Sequence, residues 1–146
     1  MFERGNVCVI DNAVGFLEGF SRLLEWRGYR ILPYTSAENA FEDIQNGDFD
    51  AVISDVMMPG LTGLELARRL KEIGCKIPVV LMSAHLDSDV KNKAKEYGVN
   101  EFVRKPFRPE EIFASLERAI KINRFEDHAF YGPILNTENE IATTII

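Results

Sequence analysis

The sequence predicts an α/β fold with a doubly wound, five-stranded parallel sheet and helices on both of its faces. Two observations lead to this prediction. Short apolar segments alternate five times with amphipathic helical patterns. The apolar segments are also nearly continuous, as in strands that are buried on both faces. Because crossover connections between parallel strands are right-handed, helices of this kind cover both faces of the sheet.

The first two strand-helix pairs begin the chain. Residues 7–10 predict a short strand, and the helical pattern after it ends at Gly28, which suits a left-handed stop. The apolar face of this helix consists of Phe16, Leu17, Phe20, Leu23 and Leu24. Residues 29–34 predict a second strand, and Pro33, which has no N–H to donate, places this strand at a sheet edge. Ser36 is a suitable N-cap for the second helix.

The third pair contains a clear helix start. Residues 51–53 predict a strand that ends at Ser54 and Asp55. Thr62 and Glu65 predict a capping box that opens the third helix. The predicted buried stripe of this helix consists of Leu66, Leu70 and Ile73.

The last two pairs follow the same pattern. Residues 77–82 predict the fourth strand and residues 101–103 the fifth, with Ser88 as the cap of the helix between them. Pro109 suits the first position of the fifth helix. The inward residues of these two helices are Val90, Ala94 and Tyr97, then Ile112, Phe113, Leu116, Ala119 and Ile120.

The alternation stops near residue 122. We therefore predict a domain over residues 1–122, and a C-terminal tail or linker over residues 123–146. The length of 146 residues suits one domain of ordinary size. For the tail, the pattern leaves a linker, a docking strand and a disordered segment as open alternatives.

Composition limits the classes of function. The hydrophobic fraction of 46% and the charged fraction of 27% are typical of soluble globular proteins. The net charge of −6 argues against direct nucleic-acid binding by this segment. Cys8 and Cys75 are isolated, which favours reduced thiols over a disulfide framework. The longest apolar run is too short to cross a bilayer. We expect a cytoplasmic protein without a membrane segment.

Polar residues follow four of the predicted strands. Asp11 and Asn12 follow the first, Asp55 ends the third, Ser83 follows the fourth and Lys105 follows the fifth. In doubly wound folds, ligands bind beyond the carboxyl ends of the strands. Two carboxylates there suit Mg²⁺, and a lysine and a hydroxyl suit phosphoryl oxygens. One carboxylate could act as a nucleophile and form an acyl phosphate.

With these residues, the sequence resembles the receiver domains of two-component response regulators. The resemblance covers about residues 7–121. The motifs that carry it are Val9-Ile10-Asp11, Ser54-Asp55-Val56-Met57-Met58-Pro59-Gly60, Leu81-Met82-Ser83-Ala84 and Lys105-Pro106-Phe107. It implies the receiver fold, which is flavodoxin-like with strand order 2-1-3-4-5. It also implies a magnesium-dependent switch that is phosphorylated by a sensor histidine kinase or a phosphotransfer protein.

The resemblance assigns roles to individual residues. Asp55 matches the phosphoacceptor, and Asp11 matches an acidic Mg²⁺ ligand. The backbone carbonyl of Met57 would be a further ligand. Ser83 matches the switch hydroxyl that bonds the phosphoryl group, and Lys105 matches the lysine that pairs with it.

Further roles concern the switch itself. Phe102 matches the switch aromatic, for which a plain core aromatic is the alternative. The bond before Pro106 is usually cis in the family. Met57 and His85 match positions that tune the lifetime of the phosphoryl group, although His85 also suits a plain loop residue. On phosphorylation, the face formed by helix 4, strand 5 and helix 5 would change shape and thereby control an output or partner. The resemblance also implies that this face can form a homodimer.

Two residues depart from the family pattern. Asn12 stands where a second acid is usual, so we expect weaker Mg²⁺ binding, with Asn12 orienting a metal-bound water through its amide oxygen. Arg108 replaces the usual cap before Pro109, so we expect the last helix to lose a cap.

Two alternatives remain. A receiver-fold interaction module that works without phosphate is favoured only by Asn12. A phosphatase with an aspartate nucleophile would carry Asp-x-Asp, but Met57 lies two residues beyond Asp55. We therefore expect no enzyme that turns over an outside substrate, only self-catalysed phosphorylation and dephosphorylation.

Overall fold

A computed structural model describes the backbone of residues 4–135 and the side chains of residues 4–124. Strands and helices alternate along the chain. The elements are β1 (Gly5–Ile10), α1 (Val14–Arg27), β2 (Tyr29–Tyr34), α2 (Ala37–Asn46), β3 (Ala51–Asp55), α3 (Gly63–Glu72), β4 (Val79–Ser83), α4 (Ser88–Glu96), β5 (Glu101–Arg104) and α5 (Pro109–Leu135).

The five strands form one parallel sheet with the order β2-β1-β3-β4-β5. The predicted fold class and strand order are therefore confirmed. β2 lies at an edge of the sheet, as Pro33 indicated. β1 pairs with β2 on one side and with β3 on the other, so that Val9 lies opposite both Pro33 and Ile53.

Successive residues of each central strand contribute to two different cores. Cys8 and Ile10 of β1 pack against α2, α3 and α4, in a cluster that we call the α2–α4 core. Val7 and Val9 pack on the other face against α1 and α5. Because side chains alternate along a strand, a strand covered on both faces is apolar at every position.

Most of the predicted helix signals are confirmed. Gly28 has a φ of 113° and ends α1 in the left-handed conformation. The Ser36 side chain accepts a hydrogen bond from the backbone N–H of Asn39 at the start of α2. Thr62 and Glu65 form the complete capping box of α3.

Two helix details differ from the predictions, and the expectation for Arg108 holds in part. Asp87, not Ser88, caps α4, because its carboxylate accepts a 2.9 Å hydrogen bond from the backbone N–H of Val90. Ile73 is 52% exposed, because α3 ends at Glu72 and the chain turns away there. Arg108 provides no side-chain cap, but its backbone N–H donates to the Glu111 carboxylate at 2.7 Å. α5 thus keeps one half of a capping box.

α5 is longer than the sequence pattern indicated. It continues beyond residue 122 to Leu135, so the predicted break in the pattern is not the end of a helix. The division into residues 1–122 and 123–146 remains a prediction, and residues 136–146 lie outside the described part. Within residues 4–135, no helix combines the length and the apolar composition that a membrane crossing requires.

Gly63 allows the start of α3 to pack against the end of β3. A Cβ at this position would overlap the backbone carbonyl oxygen of Asp55. We expect Gly63→Ala to lower the free energy of unfolding by about 2–3 kcal/mol, because backbone atoms would have to move. In the matched control Gly19→Ala, the added Cβ meets no atom within 4 Å. This control should raise the free energy of unfolding by about 0.5–1 kcal/mol. Chemical denaturation measures both, and equal effects would contradict the packing argument.

Candidate functional site

The sheet brings the predicted site residues to one edge. Asp11 directly follows β1, Asp55 ends β3, Ser83 ends β4 and Lys105 directly follows β5. These strands are neighbours in a parallel sheet, so their carboxyl ends lie side by side. The juxtaposition expected from the sequence is therefore present.

The Lys105 ammonium joins the two carboxylates. Lys105 Nζ donates hydrogen bonds to Asp11 Oδ2 at 2.6 Å and to Asp55 Oδ2 at 3.2 Å. The exposed fractions of these side chains are 1% for Asp11, 14% for Asp55 and 21% for Lys105. Two carboxylates this poorly hydrated need a countercharge nearby, and the ammonium supplies one.

Each carboxylate is also anchored by a backbone N–H two residues further along. Asp11 Oδ1 accepts a hydrogen bond from Ala13 at 2.9 Å. Asp55 Oδ1 accepts a longer one from Met57 at 3.3 Å. One oxygen of each aspartate is thus held by its own loop, while the other faces the shared cation. Charged acceptors held in this way need little rearrangement to receive a cation or a phosphoryl group.

Lys105 is oriented by groups from two other elements. Its backbone N–H donates to the carbonyl of Ser83 at 2.9 Å, and its bond to Pro106 is cis, as the family resemblance implied. The Phe16 ring of α1 lies beneath the ammonium, with its centroid 4.2 Å from Nζ. A cation over an aromatic face is attracted by the ring quadrupole. The sequence analysis placed Phe16 only on the apolar face of α1, because no local pattern predicts that it lies next to Lys105.

Ser83 and Phe102 lie on neighbouring strands, as expected. Ser83 is buried, and its Oγ accepts a hydrogen bond from the backbone N–H of His85 at 3.0 Å. Phe102 lies opposite Leu81 in the β4–β5 ladder and packs, partly buried, against the α2–α4 core. The Lys91 ammonium lies 5.9 Å from the centroid of its ring.

The remaining predicted residues surround the aspartates. Asn12, Met57 and His85 are all exposed, Met57 to 63%. Within the described side chains, no cluster of three or more His, Cys, Asp or Glu residues is positioned to hold a metal ion. The oxygen donors that do lie together are the carboxylates of Asp11 and Asp55, which both contact the Lys105 ammonium. Carboxylates are hard oxygen ligands of the kind that Mg²⁺ prefers, together with water and phosphate.

Residues 7–117 match the family described as the response regulator receiver domain. The response regulator protein TodT of Pseudomonas putida is 36% identical over 125 residues, covering 84% of this chain and 54% of TodT. The transcriptional regulatory protein FixJ of Bradyrhizobium diazoefficiens is 31% identical over 121 residues, covering 83% of this chain and 59% of FixJ. The chain thus spans little more than half the length of these relatives.

Two solved structures have the same fold as this chain. FixJ-N superimposes with a TM-score of 0.74 and 25% identity, covering 80% of this chain and 93% of that structure. The chemotaxis protein CheY4 of Vibrio cholerae superimposes with a TM-score of 0.74 and 26% identity, covering 78% and 97% respectively.

The fold and the site define an α/β domain in which two aspartates contact one lysine at the carboxyl edge of the sheet. The chain belongs to the response-regulator receiver domain family. Phosphorylation-dependent switching in two-component signal transduction is the standard function of that family.

Proposed function

We propose that Asp55 accepts the phosphoryl group and that Asp11, Lys105 and Ser83 support the transfer. The observation that carries this assignment is the position of Asp55 Oδ2, which faces the Lys105 ammonium at 3.2 Å at the carboxyl edge of the sheet. Asp55 retains 14% exposure, whereas Asp11 is almost completely buried. Of the two carboxylates, Asp55 is therefore the more accessible to a phosphodonor.

The proposed cofactor is Mg²⁺. Asp11, Asp55 and the backbone carbonyl of Met57 would hold it, and Asn12 would orient one of its waters. When bound, Mg²⁺ neutralises charge that develops on the phosphoryl oxygens. The support for this proposal is the donor set, because Asp11 and Asp55 already direct one oxygen each at a single positive charge.

The transfer consists of one substitution at phosphorus. A carboxylate oxygen of Asp55 attacks a phosphohistidine of a sensor kinase or phosphotransfer protein, and the P–N bond breaks as the P–O bond forms. The imidazole leaves with the electron pair of that bond and takes up a proton. Lys105 pairs with the phosphoryl oxygens. Water later attacks the phosphorus, the P–O bond to Asp55 breaks, and inorganic phosphate leaves as the carboxylate is restored. Both steps are self-catalysed, with no turnover of an outside substrate.

Phosphorylation would then shift the domain between two shapes. A unit charge at about 4 Å contributes roughly 4 kcal/mol at an effective dielectric constant near 20. A change from 1:99 to 99:1 needs about 5.5 kcal/mol of differential stabilisation. On this scale the Lys105 contact alone falls short, and a hydrogen bond from Ser83 to the phosphoryl group would add to it. To donate to the phosphoryl group, the Ser83 hydroxyl would give up its 3.4 Å hydrogen bond to the carbonyl of His85.

In the proposed switch, Ser83 moves toward the phosphoryl group and Phe102 turns into the space that Ser83 leaves. We expect Ser83→Ala to uncouple Phe102 from Asp55. The variant should still accept a phosphoryl group, because Asp55 and Lys105 are unchanged. The Phe102 ring should then keep its contact with Lys91, because no side chain moves out of its way. NMR of the Phe102 ring protons, before and after treatment with acetyl phosphate, measures this. A shift of equal size in Ser83→Ala and in the unsubstituted protein would contradict the coupling, as would the absence of a shift in both.

Several further assignments extend this proposal beyond the domain. The partner is a histidine kinase or phosphotransfer protein, and the output acts through the face formed by α4, β5 and α5, which could also form a homodimer. Met57 and His85 would tune the lifetime of the phosphoryl group. The domain would act in the cytoplasm, without direct contact to nucleic acid or membrane through this segment. The predicted division at residue 122 is part of the same proposal.

Intact mass after incubation with acetyl phosphate, with and without Mg²⁺, tests the central assignment. We expect one added phosphoryl group that requires both Mg²⁺ and Asp55, with Asp55→Asn as the control. An addition to Asp55→Asn would contradict the assignment of the phosphoacceptor. No addition at high Mg²⁺ would favour a receiver-fold module that works without phosphate, for which Asn12 in place of an acid is the supporting observation.

A further inference from the structure

One carboxylate from α2 contacts the loop of residues 56–62, which connects β3 to α3 and includes Met57. Glu38 lies in the first turn of α2, and its Oε2 accepts a 3.0 Å hydrogen bond from the backbone N–H of Leu61. Leu61 is buried in the α2–α4 core. The bond joins positions 23 residues apart, so it connects two separate elements rather than completing a local turn.

Gly60 leaves room for this carboxylate. Its φ of +74° favours glycine, and a Cβ there would lie 2.8 Å from Glu38 Oε2. A side chain at position 60 would therefore displace the carboxylate from the Leu61 N–H. The loop thus has the conformation and the free space that the contact with Glu38 requires.

The two ends of the loop are fixed in other ways. The Val56 N–H donates to the Met82 carbonyl at 2.9 Å, and the Gly63 N–H donates to the Val56 carbonyl at 3.1 Å. The Thr62 N–H donates to the Glu65 carboxylate within the capping box. Glu38 acts between these ends, on the stretch that leads from Met57 to α3.

We propose that Glu38 is a positioning residue for the metal site. By holding Leu61, it keeps the loop, and with it the Met57 carbonyl, in the arrangement that Mg²⁺ needs. This inference rests on the proposed function, because it takes the Met57 carbonyl as a metal ligand. Glu38 itself touches neither the metal nor the phosphoryl group. It should therefore change how much Mg²⁺ is needed, and leave the maximal rate of phosphorylation unchanged.

The test compares Glu38→Ala, Glu38→Gln and Glu42→Ala. The last is a matched control, because Glu42 is an exposed carboxylate one turn further along the same helix. Two quantities are measured: Mg²⁺ affinity by calorimetry, and the Mg²⁺ dependence of phosphorylation by acetyl phosphate, followed by intact mass. Hydrogen exchange of the Leu61 amide reports the contact directly.

We expect Glu38→Ala to weaken Mg²⁺ binding about three- to tenfold, as for the loss of one partly buried hydrogen bond to a charged acceptor. The Leu61 amide should exchange faster, and the rate at saturating Mg²⁺ should match that of the unsubstituted protein. Glu38→Gln should recover most of the affinity, because its amide oxygen can still accept the bond. Glu42→Ala should change neither quantity.

Unchanged Mg²⁺ affinity in Glu38→Ala would overturn the proposal. So would an equal loss in Glu42→Ala, which would indicate a general effect of charge on α2, or a lower maximal rate at unchanged affinity. Calorimetry does not depend on phosphoryl transfer. If the unsubstituted protein binds Mg²⁺ but accepts no phosphoryl group, the proposed function fails while the role of Glu38 is still decided.

Discussion

Lys105→Met is expected to slow the phosphorylation of Asp55 about a hundredfold, which is the scale of losing one charge-stabilising donor at a reacting centre. In this protein Lys105 is the cation that both carboxylates contact, at 2.6 and 3.2 Å. Under the proposed function, its loss also removes the partner of the phosphoryl oxygens. Intact mass against time, at saturating Mg²⁺ and fixed acetyl phosphate, gives the rate.

The same substitution should also destabilise the metal-free protein. Asp11 would remain buried with a charge and no countercharge, which costs about 3 kcal/mol of unfolding free energy. Excess Mg²⁺ should restore much of this loss, because in the proposed site it would bind the folded carboxylates and supply positive charge in place of the ammonium. Urea denaturation with and without Mg²⁺ measures the effect. The control Lys121→Met removes an exposed lysine from α5 and should change neither stability nor rate. A metal-free Lys105→Met protein as stable as the control would contradict the bridging role.

Asn12→Asp is expected to tighten Mg²⁺ binding about tenfold while it destabilises the metal-free protein. It adds a third carboxylate beside Asp11, at a position where a hard cation gains a further charged oxygen. Without the metal, the added charge repels the other two. Because Asn12 is exposed, this repulsion is close to the value for charges in water, about 1 kcal/mol.

Two measurements test the expected gain in Mg²⁺ affinity and the expected loss of stability in the metal-free protein. Calorimetry gives the Mg²⁺ affinity, and denaturation in the presence of a chelator gives the metal-free stability. Asn92→Asp, at an exposed position of α4, adds the same charge away from the site and should leave Mg²⁺ affinity unchanged. Equal affinity in Asn12→Asp and the unsubstituted protein would show that position 12 does not limit metal binding.

Local sequence signals were sufficient where a structural feature depends on a few adjacent residues. Gly28 ends α1 in the left-handed conformation because glycine alone enters it without strain. Thr62 and Glu65 form a capping box because both partners lie within one helical turn. The cap of α4 was predicted one residue too late, at Ser88 instead of Asp87, because the residue pattern does not fix the first residue of a helix to within one position.

The sequence alone determined that five apolar strands alternate with helices, and that Asp11, Asp55, Ser83 and Lys105 stand at strand ends. These four residues were expected to lie close together because parallel strands all end at the same edge of the sheet. Only the tertiary structure decided which groups touch there. The bridge from Lys105 to Asp11 spans 94 positions, and the bond from Leu61 to Glu38 spans 23. Propensity and periodicity act over a few residues, whereas such contacts depend on how whole elements pack against one another.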